Sequence, residues 1–147
     1  MYKKLFVPVD GSELSERAMQ ASVDLAKQLG AAIHGFVAEP ELPLPTVGTH
    51  PSAYSKSSDE HMARTDAHAQ NVLKCFEKSA SESGVAFSGS HSRTDNVDNT
   101  IVDMAQGLGC DMIVMVTHGR GAFGELLFGS HTKNVLSRCK MPVLVLH

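Results

Sequence analysis

Compact apolar runs alternate along this chain with longer segments in which apolar residues recur every three or four positions. The first run, residues 5–9, reads Leu-Phe-Val-Pro-Val before a turn, as expected of a strand buried on both faces. Asp10-Gly11-Ser12 follows with turn and N-cap chemistry, and either Asp10 or Ser12 is able to cap. Leu14, Ala18, Ala21, Leu25 and Leu29 then fall at helical spacing, and Gly30 stops the helix. A second strand is expected over 31–37. Residues 39–58 break the pattern: four prolines and many small polar residues predict an irregular excursion, either disordered or serving as a flap. Ser57 with Glu60 makes a capping box. The next helix should therefore start there and run on Met62, Ala69, Val72, Leu73, Phe76 and Ala80 to Gly84. Residues 85–91 alternate weakly, as a third strand. Thr94 or Asp95 caps a third helix on Val97, Ile101, Met104, Ala105 and Leu108, closed by Gly107 and Gly109. Residues 112–116 form the fourth strand and 142–147 the last.

Strands alternating with helices imply βαβ units with right-handed crossovers. The fold class is thus α/β, a Rossmann-like parallel sheet with helices on both faces. Ligands of such sheets bind outside the carboxyl ends of the strands, where the strand order reverses. Asp10, the 37–40 segment and the loop after Val116 all fall at those ends.

Composition narrows the functional classes. A chain of 147 residues is expected to be one domain over 1–147. Its formal net charge of −3 makes no electrostatic case for nucleic acid or anionic membrane as a partner. No apolar run reaches transmembrane length, and the first is too short for a signal peptide. Cys75, Cys110 and Cys139 are odd in number, far apart and without metal-ligand spacing, which predicts reduced thiols in a cytosolic, cytoplasmic protein. Of the eight histidines, only His61 and His68 share a helical face by spacing, two turns apart and too far for a chelate; all are expected at the surface.

The segment after Val116 carries the most specific chemistry. Gly119, Gly121, Gly124 and Gly129 punctuate a loop that leads through Ser130 into a helix. A helix N-terminus has unsatisfied N–H groups and about half a positive charge, and so attracts anions. The first turn, Ser130, His131 and Thr132, holds no carboxylate, while Arg138 and Lys140 suit the negative end. The positive end is thus expected to receive a phosphate. Gly124 to Ser130 has P-loop glycine spacing without the lysine that reaches the β- and γ-phosphates, which argues against a Walker-type NTPase. On the glycines alone, a plain strand-to-helix turn and a phosphate cradle are equally good readings.

Several motifs together resemble the universal stress protein family, the small UspA-like proteins, along nearly the whole chain. They are Val7-Pro8-Val9-Asp10-Gly11-Ser12, Cys110-Asp111-Met112-Ile113-Val114-Met115, Thr117-His118-Gly119-Arg120-Gly121, Leu127-Phe128-Gly129-Ser130, and the ending from Met141-Pro142. The resemblance implies a five-stranded parallel sheet of order 3-2-1-4-5 in a homodimer, and a regulatory module rather than an enzyme. It also implies ATP or another adenine nucleotide as ligand, with or without Mg2+. Nucleotide-binding members share G-x2-G-x9-G-[S/T]. Gly119, Gly129 and Ser130 match its second half, and its first glycine falls on Val116. By this resemblance Asp10, beside Pro8 and Val9, meets the adenosine, and the backbone at Val37 holds the adenine. The phosphates lie at residues 119–132, with Met115, Val116, His118, Arg120, His131 and Thr132 around them.

Val116 ends a strand, where a β-branched residue is comfortable. A glycine there would serve close approach of a ligand, so valine is expected to weaken, displace or abolish ATP binding while the anion site at Ser130 survives. Asp10 reads equally as a helix cap and as a ligand. His118 and His131 can contact phosphate or face water, and Arg120 can pair bidentately with phosphate or remain solvated. The last strand, opening on Pro142 and closing on Leu146, is short and apolar and belongs at a sheet edge, where a second copy pairs antiparallel or the 39–58 segment covers it. No acid–base pair, nucleophile or metal cluster can be assembled, so neither catalytic nor metal-binding residues are assigned. A hydrolase reading would rest on Asp10 and Glu125, and a nucleotide-free stress protein on Val116. A phosphoacceptor receiver domain fails, because it needs an Asp where this chain has His91-Ser92.

Overall fold

The computed structural model describes residues 1–42, 44–116 and 130–147. Its elements are β1 (Lys4–Pro8), α1 (Glu13–Leu29), β2 (Ala32–Glu39), α2 (Pro51–Glu82), β3 (Phe87–Arg93), α3 (Val97–Gly107), β4 (Met112–Val116), α4 (Ser130–Arg138) and β5 (Val143–Leu146). The five strands form one parallel sheet in the order β3-β2-β1-β4-β5, as the resemblance implies. Chain progress runs from β1 out to β3, then returns to the other side of β1 for β4 and β5. The reversal falls between β1 and β4.

Strand alternation divides the core in two. Leu5, Val7, Ile33, Val37 and Val114 face α1 and α2, meeting Met19, Val23, Val72 and Phe76. Phe6, Phe36, Ile113 and Met115 face α3 and α4, meeting Ile101, Ala105 and Val135. Fully burying one such side chain contributes about 1.5–3 kcal/mol, so each face anchors its helices independently. This two-sided burial explains why the central strands read as unbroken apolar runs.

Local chemistry sets most boundaries. Ser12 caps α1, its Oγ accepting from Ser15 N at 3.2 Å. Glu13 and Glu16 in the first turn complement the dipole, and Gly30 closes the helix at φ 64°. Asp10 makes the turn before it, its Oδ1 accepting from Ser12 N at 2.9 Å. Gly11 sits at φ 83°, and a Cβ there would lie 2.8 Å from Val72 Cγ2 and 3.0 Å from His68 Cε1 of α2. The Asp-Gly-Ser motif is therefore required by the turn and by the helix passing over it.

Three expectations are corrected. The second helix begins at Pro51, not at Ser57, so the Ser57–Glu60 capping box lies inside α2 and the irregular stretch shrinks to 40–50. Proline at the first helical position, with His50 Nδ1 accepting from Ser52 N at 3.2 Å, starts the helix earlier. The third helix is capped by Asn96 rather than Thr94 or Asp95; Thr94 Oγ1 instead accepts from Asn96 N at 3.0 Å. Finally, His34 is 5% exposed, not on the surface. Its Nδ1 and Nε2 each lie 2.8 Å from a serine hydroxyl, Ser88 and Ser90 of β3, and its ring stacks on Phe6. Burial, followed by the charge of Lys4, pushes the His34 pKa below its ordinary value, so the imidazole is held neutral.

Candidate ligand crevice

A crevice opens at the carboxyl ends of β1 and β4, where the strand order reverses. Pro8, Val9 and Asp10 come to it from β1 and its turn, and Met115 and Val116 from the end of β4. Ala38 enters from β2, Leu14 and Ala18 from α1, and Val97 and Ile101 from α3. His131 and Thr132, in the first turn of α4, close the far side. Its walls are thus mainly apolar.

The turn after β1 is tightly built. Asp10 N and Gly11 N both donate to Ser15 Oγ, at 3.0 and 3.3 Å, and Val9 N extends the sheet by donating to the Phe36 carbonyl at 2.8 Å. From α2, His68 Nε2 donates to the Asp10 carbonyl at 3.0 Å. Asp10 is therefore both a turn former and an exposed crevice residue.

Seven of the candidate site residues come together here: Pro8, Val9, Asp10, Met115, Val116, His131 and Thr132. The Val37 side chain is buried against α1 and α2 and the neighbouring Ala38 lines the crevice, which leaves the contact expected of the Val37 backbone untouched. Ser130 is exposed at the start of α4 and is not among the lining residues. His118, Gly119, Arg120 and Gly129 lie outside the described residues, as does Glu125.

The first turn of α4 holds no carboxylate of its own, as the sequence predicts, but tertiary structure brings one to it. Asp98, from the first turn of α3, reaches across: its Oδ1 lies 2.6 Å from His131 Nδ1, and its Oδ2 accepts from Asn134 Nδ2 at 2.8 Å. His131 is thus engaged by Asp98 rather than only by water. Arg138 donates to Asn99 Oδ1 farther along the same α3–α4 seam. No local pattern announces these pairs, since more than thirty residues separate Asp98 from its partners.

A second polar cluster was missed altogether. At the ends of β2 and β3, beneath α2, Glu39 is 3% exposed and contacts His91 Nδ1 through Oε1. Arg93 Nη2 donates to Glu39 Oε2 at 2.9 Å, to Asp66 Oδ1 at 2.9 Å and to Thr65 Oγ1 at 3.0 Å. Its Nη1 donates to the Pro40 carbonyl at 2.8 Å. Asp66 is held below the ordinary carboxylate range, first by its hydrogen bond with Glu39 and then by the charges of Arg93 and His91. Glu39 looked like the first residue of a loop; the extension of β2 to Glu39 is what buries it.

Among the described residues, no helix is long and apolar enough to cross a membrane. All three cysteines are free, and burial pushes the Cys110 thiol pKa up.

Comparison with known proteins agrees with this architecture. The family model described as "Universal stress protein family" matches residues 1–147. The universal stress protein MJ0531 of Methanocaldococcus jannaschii is 29% identical over 152 residues, covering 99% of this chain and 82% of the relative. Among solved structures, the hypothetical protein MJ0577 superposes with a TM-score of 0.79 at 24% identity, covering 99% of this chain and 96% of the other. A universal stress protein described in complex with cAMP gives 0.71 at 22% identity, covering 99% and 97%. An Archaeoglobus fulgidus one described in complex with dAMP gives 0.65 at 18%, covering 99% and 98%. With the family model spanning every residue and the sheet wound in the order the resemblance implies, the chain belongs to the universal stress protein family.

Proposed function

We propose that this protein is a homodimeric, cytosolic regulatory module that senses or sequesters an adenine nucleotide, ATP or AMP, in the crevice between β1 and β4, without efficient turnover. The observation that carries the reading is the crevice itself: apolar walls at the switch point, lined also by the exposed Asp10 and by the first turn of α4. Apolar walls of this kind accept a planar base, and a carboxylate accepts hydrogen bonds from ribose hydroxyls. The start of α4 offers N–H groups to a phosphate. The neighbours described with cAMP and dAMP support the same ligand class. Any Mg2+ accompanying the phosphates would meet Asp10, the one carboxylate among the described lining residues. His131 is the one imidazole among the described lining residues, and its Nδ1 is engaged by Asp98.

For the homodimer, support comes from β5. Among the described residues it is the outermost strand, beside β4, all four of its residues are half-buried, and it is short and apolar, the kind of strand along which a second copy pairs antiparallel over residues 142–146. Light scattering should return about twice the 15.8 kDa chain mass.

A second reading, a nucleotide-independent stress protein acting through protein partners, is favoured by Val116 in the crevice and by Asp98 beside α4. Calorimetric titration with ATP and AMP separates the two. Saturable binding that Asp10→Ala weakens at least tenfold supports the nucleotide reading; absence of heat with either ligand favours the other. Magnesium-dependent ATP turnover lost in Asp10→Ala would instead mark a hydrolase.

A further inference from the structure

We propose that Glu39, Asp66 and His91 form a binding site for one divalent transition ion, Zn2+ or Mn2+, between α2 and the carboxyl ends of β2 and β3. The three come from three different elements, and one donor atom from each lies within 4.8 Å of the other two. None of them lines the nucleotide crevice. Strand alternation puts Ala38 toward the crevice and Glu39 toward α2, so the two sites share no lining residue.

The donor set selects the class of ion. One imidazole with two carboxylates suits borderline transition ions, whereas Ca2+ and Mg2+ sites are built from oxygen alone. Metal–donor distances of about 2.0–2.2 Å in a tetrahedral site put donors about 3.4 Å apart. Asp66 must draw in, while His91 Nδ1, now in contact with Glu39 Oε1, must turn away to admit the ion; their side chains are 43% and 31% exposed and can move. Glu39, at 3% exposure, is fixed. Three protein donors leave a fourth position for water.

The surroundings resemble the outer shell of a metal centre. Arg93 ties down Glu39 Oε2 and Asp66 Oδ1 while itself held by Thr65 and the Pro40 carbonyl. Glu39 Oε1 contacts His91 Nδ1, and an ion would take the place of the proton between them. Glu39 is a buried carboxylate, and a buried carboxylate requires compensation. The competing account supplies that compensation with a proton on His91 and needs no metal.

Titration of ZnCl2 and MnCl2 into EDTA-dialysed protein distinguishes them. The metal site predicts one saturable ion per chain, with affinity falling at least tenfold in His91→Ala and in Asp66→Asn and unchanged in His147→Gln. Both informative substitutions are at part-exposed positions, and circular dichroism checks each fold; if one variant fails to fold, the other decides. No saturable binding, or binding indifferent to both substitutions, overturns the proposal in favour of the protonated ion-pair network.

Discussion

Gly35→Ala should destabilise this protein through α2, the helix that roofs the Glu39 cluster. Gly35 lies in the middle of β2, paired in register with Gly89 of β3, under the rings of Phe76 from α2 and Phe87 from β3. Those rings sit 5.0 Å apart and tilted by 57°. A Cβ at position 35 would be 2.8 Å from Phe76 Cδ1, 2.8 Å from Phe87 Cζ and 3.0 Å from Phe87 Cε2. Optimal carbon–carbon separation is about 3.5–4.0 Å, so the methyl overlaps two stiff rings by about 1 Å. Phe76 is fully buried and cannot swing away, so the strain must move α2 or β3. Overpacking of this kind costs about 1–3 kcal/mol. Removing a flexible glycine from a strand offsets about 0.5–1 kcal/mol of that, leaving a net loss of about 1–2 kcal/mol. At about 3 °C per kcal/mol for a chain of this size, Tm should drop about 3–6 °C. Urea unfolding followed by circular dichroism and calorimetric Tm measure it. Gly107→Ala is the control: nothing lies within 4 Å of its Cβ at the end of α3, and helix propensity predicts stabilisation of up to about 1 kcal/mol. If both substitutions shift stability in the same direction, the steric argument about Gly35 is wrong.

Three further outcomes follow from named contacts. His34 has its pKa depressed in the fold by burial, so between its ordinary value of about 6.5 and its lower folded value the unfolded chain binds more protons. Stability should therefore fall as pH drops below about 6.5, and urea midpoints of His34→Gln should lack that component; an identical slope in the variant removes His34 as its source. Val116→Gly, which clears the branched side chain from the crevice, should tighten ATP by about tenfold or more in calorimetry, and unchanged affinity would end the steric reading of this position. Asp98→Asn removes a negative charge beside the start of α4 and should tighten ATP about two- to fivefold, most at low salt; weaker or salt-independent binding contradicts it.

How much of this was legible in the sequence depended on the range of the interaction. Buried strands with local turn chemistry, such as 112–116 or the Asp10-Gly11-Ser12 turn, carry their own signal because burial on both faces leaves an apolar run and a cap must lie beside its helix. The start of α2 was misread because only Ser58 among residues 51–60 is buried, so no apolar periodicity marks those first turns, and a capping box outweighed Pro51. β3 alternated weakly because it is an edge strand whose second face carries Ser88 and Ser90. Those serines satisfy His34 from 54 and 56 residues away, which no local pattern encodes. The same distance hid Glu39 from His91 and Arg93. In the crevice, the family motifs brought out Pro8, Val9, Asp10, Met115 and Val116, whereas the Asp98–His131 contact needed the α3–α4 packing to be seen.

The most direct test of the account is native mass spectrometry of freshly purified protein, before and after addition of ATP or AMP. The account predicts a dimer at about twice 15.8 kDa, carrying or taking up one adenine nucleotide per subunit, with uptake reduced in Asp10→Ala. A protein that arrives without nucleotide and acquires none at millimolar ATP or AMP would contradict it.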